Sequence, residues 1–364
     1  MGGNKYVKCN YPLIRAETYE TYTNKQGGIS YKAEWLERDI FDRMVNQKEI
    51  QRFSHKYRRI TPVGCGQCIP CLLGHSAQWA TRIMLQVKYG YDPDEWNKVP
   101  HKHPLLPYPD GTCWFITLTY KDEYLKTHKY ANQETGEIFE GISLYKKDMQ
   151  DFWKRLRKAY PKMKIKYYEC GEYGSQTMRP HYHAIVFGLP LETDQFIKTG
   201  MSKKFNTPRW KLQKLTDIWG MGLVDIGRVT WNSAGYVARY TLKKATNGKD
   251  PTWYKAQGMI PEFVTMSNGI AKDYFLENLK NIYKTDSVPI SDAHGRIQKP
   301  PKSYDRMLKE MCPELYDNIK HKRKKNSESL ELGTRQETDL TPEERRAISE
   351  ARMASIIKDM RMEV

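Results

Sequence analysis

The chain has 364 residues, enough for one large domain or two smaller ones, and Lys plus Arg exceed Asp plus Glu by 60 to 43, for a net charge of +17. That excess favours a polyanionic partner, nucleic acid first, and the 25 Tyr, 9 Trp and 10 Phe offer rings that stack on unpaired bases. No apolar run approaches the ~18 residues of a membrane span, MGGNKY opens neither a signal peptide nor a myristoylation motif, and three of the 7 cysteines crowd into CGQCIPC, so a soluble intracellular protein is expected rather than a secreted disulfide scaffold.

Residues 1–60 are mixed and polar, with a turn at Gly27 and Gly28, and lead into Cys65, Cys68 and Cys71. A helix is predicted after Ser76, with Trp79, Ile83, Met84 and Val87 on its core face. Past a proline- and histidine-rich stretch at 98–112, CWFITLTY (Cys113 to Tyr120) reads as a strand and polar residues 121–142 as a loop. A second helix follows Ser143, burying Tyr145, Met149, Phe152, Trp153, Leu156 and Tyr160, with Lys and Arg on its other faces.

Pro161 closes that helix, and Lys164 to Cys170 reads as a strand paired antiparallel with the next apolar run, Ala184 to Gly188. Residues 222–230 form a further strand, after which Ser233 is predicted to cap a helix carrying Tyr236, Val237, Tyr240 and Leu242 and ending near Lys243 and Lys244. Phe275 to Tyr283 looks helical and Pro300-Pro301 lies in a loop. From His321 the chain is so charged that a mobile linker is expected, and Thr341, Pro342 and Glu344 have the pattern of a capping box opening a last helix. The order of elements predicts an α+β fold, a central antiparallel sheet flanked by helices. Three regions are expected: a Cys-rich segment and helix at 1–90, a catalytic core at 91–290, and a basic linker with a C-terminal helix at 291–364.

The segment RPHYHAIVFG, residues 179–188, carries the most chemistry. Side chains of a strand alternate, so His181 and His183 share one face, with Cα atoms about 6.5 Å apart, and can grip one divalent ion. A carboxylate would complete the set; Glu172 and Glu169 both precede the histidines, alternation lets only one of them meet the pair, and Glu172 is favoured. Two imidazoles and a carboxylate suit Mg²⁺ or Mn²⁺, and Zn²⁺ or Fe²⁺ also accept them.

Tyr236 and Tyr240, one helical turn apart, present both hydroxyls to one side, and Lys243 and Lys244 follow closely enough to ease proton loss from a phenol. Such a pair is by itself ordinary core packing. Cys65, Cys68 and Cys71 put three thiolates where tetrahedral zinc would take them, although an iron–sulfur cluster also uses such spacing; His75 is a local fourth ligand.

Taken in order, FITLTY, GEYG with RPHYHAIVFG, and SAGYVARYTLKK resemble the rolling-circle replication initiators of the HUH endonuclease superfamily. With CGQCIPC near the start, the likeness narrows to the initiators of gokushoviruses, small single-stranded-DNA phages, over residues 9 to about 285. The resemblance implies an RRM-like or ferredoxin-like sheet core, a metal on His181 and His183, and Tyr236 and Tyr240 as nucleophiles that cut the viral origin and keep a 5′-phosphotyrosyl link. It also implies Cys9 rather than His75 as the fourth cysteine-site ligand, host replication proteins as partners, and action in the bacterial host cytoplasm.

Overall fold

The computed structural model describes residues 13–23, 29–36, 56–66, 68–89, 112–131, 135–174, 177–202, 205–239, 251–290, 296–334, 347, 348 and 351. Two compact units divide the chain, residues 1–74 with 340–357 and residues 75–339 with 358–364.

In the first unit, β1 (Leu13–Thr23), β2 (Ile29–Leu36) and β3 (Tyr57–Val63) form an antiparallel sheet in the order β2-β1-β3. Period-two alternation turns Ile14 and Ala16 inward, where they are 1% and 0% exposed. The polar N-terminal reading missed these strands, since only one face of β1 is apolar and β2 is wet along most of its length. Helix α1 (Ile69–Tyr89) begins seven residues before Ser76, which is itself a buried residue within the helix. Its predicted stripe holds, with Ile83, Met84 and Val87 buried.

The second unit is organised by β4 (Cys113–Tyr120), which is the expected CWFITLTY strand. The expected loop at 121–142 contains a hairpin instead, β5 (Thr127–Ala131) paired with β6 (Ile138–Ile142). These strands are short and mostly exposed, with Tyr130 stacked on Phe139 across the pair, so they lack the apolar alternation that marks a strand in sequence. Helix α2 (Lys146–Ala159) buries Met149, Phe152, Trp153 and Leu156 as predicted. Ser143 does not cap it, because its hydroxyl contacts Tyr173 Oη and accepts from the Ile260 amide; Tyr145 takes the N-cap position and is exposed.

There follow β7 (Lys166–Tyr173), β8 (Pro180–Phe187), β9 (Ile197–Ser202), β10 (Thr207–Lys211), α3 (Gln213–Trp219), β11 (Gly222–Arg228), α4 (Trp231–Ala238), α5 (Pro251–Ala256), β12 (Phe263–Met266) and α6 (Lys272–Thr285). A small pair, β13 (Val288–Pro289) and β14 (Ile297–Gln298), precedes α7 (Lys302–Met311) and α8 (Pro313–Thr334). The central sheet has seven antiparallel strands in the order β12-β7-β8-β4-β11-β10-β9. This is the α+β architecture read from the sequence.

Each face of the sheet has its own core. On one, Trp114, Ile116 and Leu118 of β4 and Tyr182, Ala184 and Val186 of β8 pack with α2 and α3. On the other, Cys113, Phe115, Ile185 and Phe187 pack with α1, α4, α6 and α7. The alternating residues of PHYHAIVF feed both cores, which is why the run is apolar throughout its second half.

The charged stretch from His321 is helical through Thr334, as part of α8. It is tied down by Arg323, whose guanidinium bridges Asp286 and Asp305 and whose pKa is raised by those hydrogen bonds. Ala347, Ile348 and Ala351 are helical, and the capping box expected at Thr341 to Glu344 lies outside the described residues.

Candidate metal centre and active site

Strand register decides which carboxylate meets the histidines. Glu172 stands directly opposite His181 and Cys170 opposite His183, so all four share a face, while Glu169 opposes Ala184 on the other side. The alternation holds because β7 stays regular through Gly171, where a Cβ would come within 2.9 Å of the Phe263 ring and 3.0 Å of Leu144. A side chain there would have to displace the Phe263 ring and the Leu144 side chain.

His181 Nε2 donates to Glu172 Oε1 at 2.7 Å and His183 Nε2 to the same oxygen at 2.8 Å. A third donor joins them, Tyr236 Oη at 2.8 Å. The two rings stand nearly perpendicular, 5.0 Å apart, and His183 lies 5.3 Å from the Tyr236 ring. Each ring is also held from behind: His181 Nδ1 donates to the Arg179 carbonyl, 3.1 Å away, and His183 Nδ1 lies 2.9 Å from Thr117 Oγ1. A carbonyl can only accept, so Nδ1 of His181 carries a proton, and Nε2, once it gives up the proton it shares with Glu172, is the atom left to hold a cation. Phe115 stacks on His183 at 5.5 Å and sets its plane.

Burial alone would raise the Glu172 pKa, but the charge of His183 and the hydrogen bonds from His181 and His183 hold it well below the usual carboxylate range. Tyr236 moves the other way. It is 8% exposed, and burial, with the Glu172 charge and hydrogen bond adding to it, pushes its pKa far above an ordinary phenol. Glu262, buried beside the end of β7 with its Oε1 taking the Tyr173 amide proton at 3.1 Å, raises it further.

The donor set fits a divalent cation. One ligand atom from each of Glu172, His181 and His183 lies within 4.8 Å of the others, and an ionised carboxylate 2% exposed supplies negative charge where a cation would sit. Glu169 has no part in it. It faces α2, accepts hydrogen bonds from Trp153 Nε1 and Thr265 Oγ1, and is pushed up to about 7 by burial.

Tyr236 reaches the cluster because α4 starts at a fixed point. Thr230 is the N-cap: its hydroxyl takes the Ser233 amide proton at 3.1 Å while the Ser233 hydroxyl takes that of Thr230 at 2.8 Å. Ser233, expected as the cap, is therefore the third helical residue, and the reciprocal box sets the first turn two residues ahead of Tyr236. Tyr240, Lys243 and Lys244 lie outside the described residues. Thr117, Phe115 and Glu262 were not singled out in the sequence. For Thr117 the signal was there, since alternation along FITLTY puts Phe115, Thr117 and Thr119 on one face, and Thr117 pairs directly across from His183 on that face.

A second cluster lies in the first unit. Sγ atoms of Cys65, Cys68 and Cys71 are within 4.8 Å of one another, and the Cys68 amide donates to Cys65 Sγ at 3.3 Å. Gly64 lets Cys71 approach, since a Cβ there would sit 3.2 Å from its sulfur. Three soft sulfurs so grouped fit zinc. Cys9 lies outside the described residues, and His75 belongs to the second unit, where burial and the charges of Lys302 and Arg82 lower its pKa. No helix among the described residues is long and apolar enough to cross a membrane.

The sequence matches the family of replication-associated proteins ORF2/G2P over residues 113–245, the stretch from β4 through α4 that holds the whole cluster. It is 38% identical over 266 residues to the replication-associated protein ORF2 of Spiroplasma virus 4, covering 72% of this chain and 73% of that one. The chain belongs to this replication-associated family. Further relatives are the replication-associated protein VP4 of Bdellovibrio phage phiMH2K, 28% identical over 51% of this chain and 50% of that one, and the replication-associated protein ORF4 of Chlamydia phage 1, 34% identical over 38% and 36%. No solved structure matches the chain.

Proposed function

We propose that this chain initiates rolling-circle replication of a single-stranded-DNA phage in the cytoplasm of its bacterial host, cutting one strand at the viral origin with a tyrosine. The observation that carries the reading is the meeting of the Tyr236 hydroxyl and both imidazoles on Glu172 Oε1, which sets a nucleophile beside a metal-competent cluster. His181, His183 and Glu172 would hold Mg²⁺ or Mn²⁺, which when bound draws charge from a scissile phosphate and favours loss of the phenol proton.

In the resting arrangement the Tyr236 phenol keeps its proton, because burial opposes the phenolate. For attack the hydroxyl leaves Glu172 and gives up that proton, and its oxygen bonds the phosphorus. The bond from phosphorus to the 3′ oxygen breaks, that oxygen takes up, by way of solvent, the equivalent of the proton the phenol released, and the products are a 3′-hydroxyl primer and a 5′-phosphotyrosyl link. Thr117 and the Arg179 carbonyl keep the rings aligned meanwhile. Tyr240 is the second nucleophile of the reading, which rejoins the displaced strand after one round, with Lys243 and Lys244 easing proton loss. The cysteines, with Cys9 as fourth ligand, would carry a structural zinc, and host replication proteins would extend the primer.

The test is to incubate the chain with single-stranded viral origin DNA and Mn²⁺ and look for a denaturation-resistant protein–DNA adduct. An adduct whose phosphate maps to Tyr236 or Tyr240, and which is lost when both are phenylalanine, is the expected result. Cutting that persists in the double variant would mean that water, not tyrosine, is the nucleophile.

A further inference from the structure

The three-stranded sheet of the first unit has an open face of unusual composition. An antiparallel sheet with one buried side ordinarily shows polar residues on the other. Here Ile14 and Ala16 take the buried side, and the face alternating with them mixes Glu17, Thr61 and Ala33 with Leu13 and Arg15 on β1, Val63 on β3, and Ile29, Tyr31 and Trp35 on β2. Trp35 is 61% and Ile29 77% exposed.

Cations are built into the same face. Arg15 stands directly across from Trp35, and the Arg58 guanidinium lies 3.9 Å over the Tyr31 ring. Both arginines also hold Glu17, which they partly cover while staying about two-fifths exposed themselves. Two arginines to one half-buried carboxylate leave the face positive, and the shared anion fixes the guanidinium groups in place. Trp35 and Tyr31, four residues apart on one strand, have Cα atoms about 13 Å apart and share this face.

We propose that this face is a second binding surface for single-stranded DNA, apart from the nuclease cluster, with Trp35 and Tyr31 stacking unpaired bases and Arg15 and Arg58 taking the phosphates. Aromatic rings interleaved with fixed arginines are the chemistry of sequence-tolerant single-strand binding, and two cations to one carboxylate favour an anionic partner. The inference rests on the reading that the chain works on DNA, to which it adds a site that holds strand without cutting it.

The test uses the full chain in chelator, a labelled thymidine oligonucleotide and fluorescence anisotropy, with adduct formation on origin DNA in Mn²⁺ as a separate assay. Trp35→Ala should weaken oligonucleotide binding by roughly five- to a hundred-fold, the range of one lost base–aromatic stack, and Trp35→Phe should recover most of it. Arg58→Gln should lower the salt dependence by about one phosphate contact. Adduct formation at saturating DNA should be unchanged in all three. Equal affinity of Trp35→Ala and the parent chain overturns the proposal, and so does an equal loss on duplex DNA, in which bases cannot reach the ring. Absence of any adduct in the parent chain speaks against the nuclease reading alone and leaves the binding comparison intact.

Discussion

Glu169 and Glu172 lie three residues apart on β7, both nearly inaccessible to solvent, and their surroundings push them in opposite directions. Glu169 meets an indole and a hydroxyl, neutral donors too weak to offset its desolvation, and is pushed up to about 7. Glu172 meets two imidazoles as well as a phenol and is held well below the usual range. Burial neutralises a carboxylate unless its partners carry charge. One face of the strand thus favours a protonated carboxyl and the other keeps an anion, and the second is the one suited to a cation.

The contrast can be broken most completely by His181→Ala, which removes a donor to Glu172 and a ligand together. Cleavage of origin DNA should fall below detection while anisotropy still reports DNA binding; undiminished nicking would refute the metal assignment. Thr117→Val is the next step down. It frees His183 Nδ1 without touching a ligand, and calorimetric titration should find Mn²⁺ bound about 10- to 100-fold more weakly, as for other outer partners of metal-binding histidines.

Glu169→Gln sharpens the comparison from the other side. In the folded chain Glu169 ionises near 7, whereas unfolded it does so near 4.5, so the folded state holds the extra proton between those values. The resulting stability is fully present below pH 4.5 and is lost as pH rises through 7, a change of about 1–3 kcal/mol. Urea unfolding at several pH values should show that slope in the parent chain and a flatter one in the variant. The smallest effect belongs to Thr230→Ala, which removes the α4 cap and should cost about 1 kcal/mol in the same assay.

The reactive face was legible because period two is a strict rule: once β7 and β8 were paired, alternation separated Glu172 from Glu169 and joined His181 to His183. Where a different physics governed, the reading failed. The hairpin of β5 and β6 and the N-terminal strands are held by pairing more than by burial, so their residues carry little apolar pattern. Helix α8 looked like a solvated tail because its composition hides one residue, Arg323, whose bridges to Asp286 and Asp305 come from 37 and 18 positions away. Helix starts shifted for a local reason. Thr230 and Ser233 are both capping types, and only the reciprocal bonds between them say which is the cap.

That Glu172 offers one oxygen to three hydrogens has a consequence for timing. The imidazoles and the phenol draw on the same lone pairs, so none can tighten its hold without loosening the rest, and an ion that claimed that oxygen would evict the Tyr236 proton donor as it captured the rings. On the proposed reading the arrangement is a safety catch: the tyrosine would stay parked for as long as the carboxylate is unclaimed, and cutting would be confined to the moment when the pocket is charged for it.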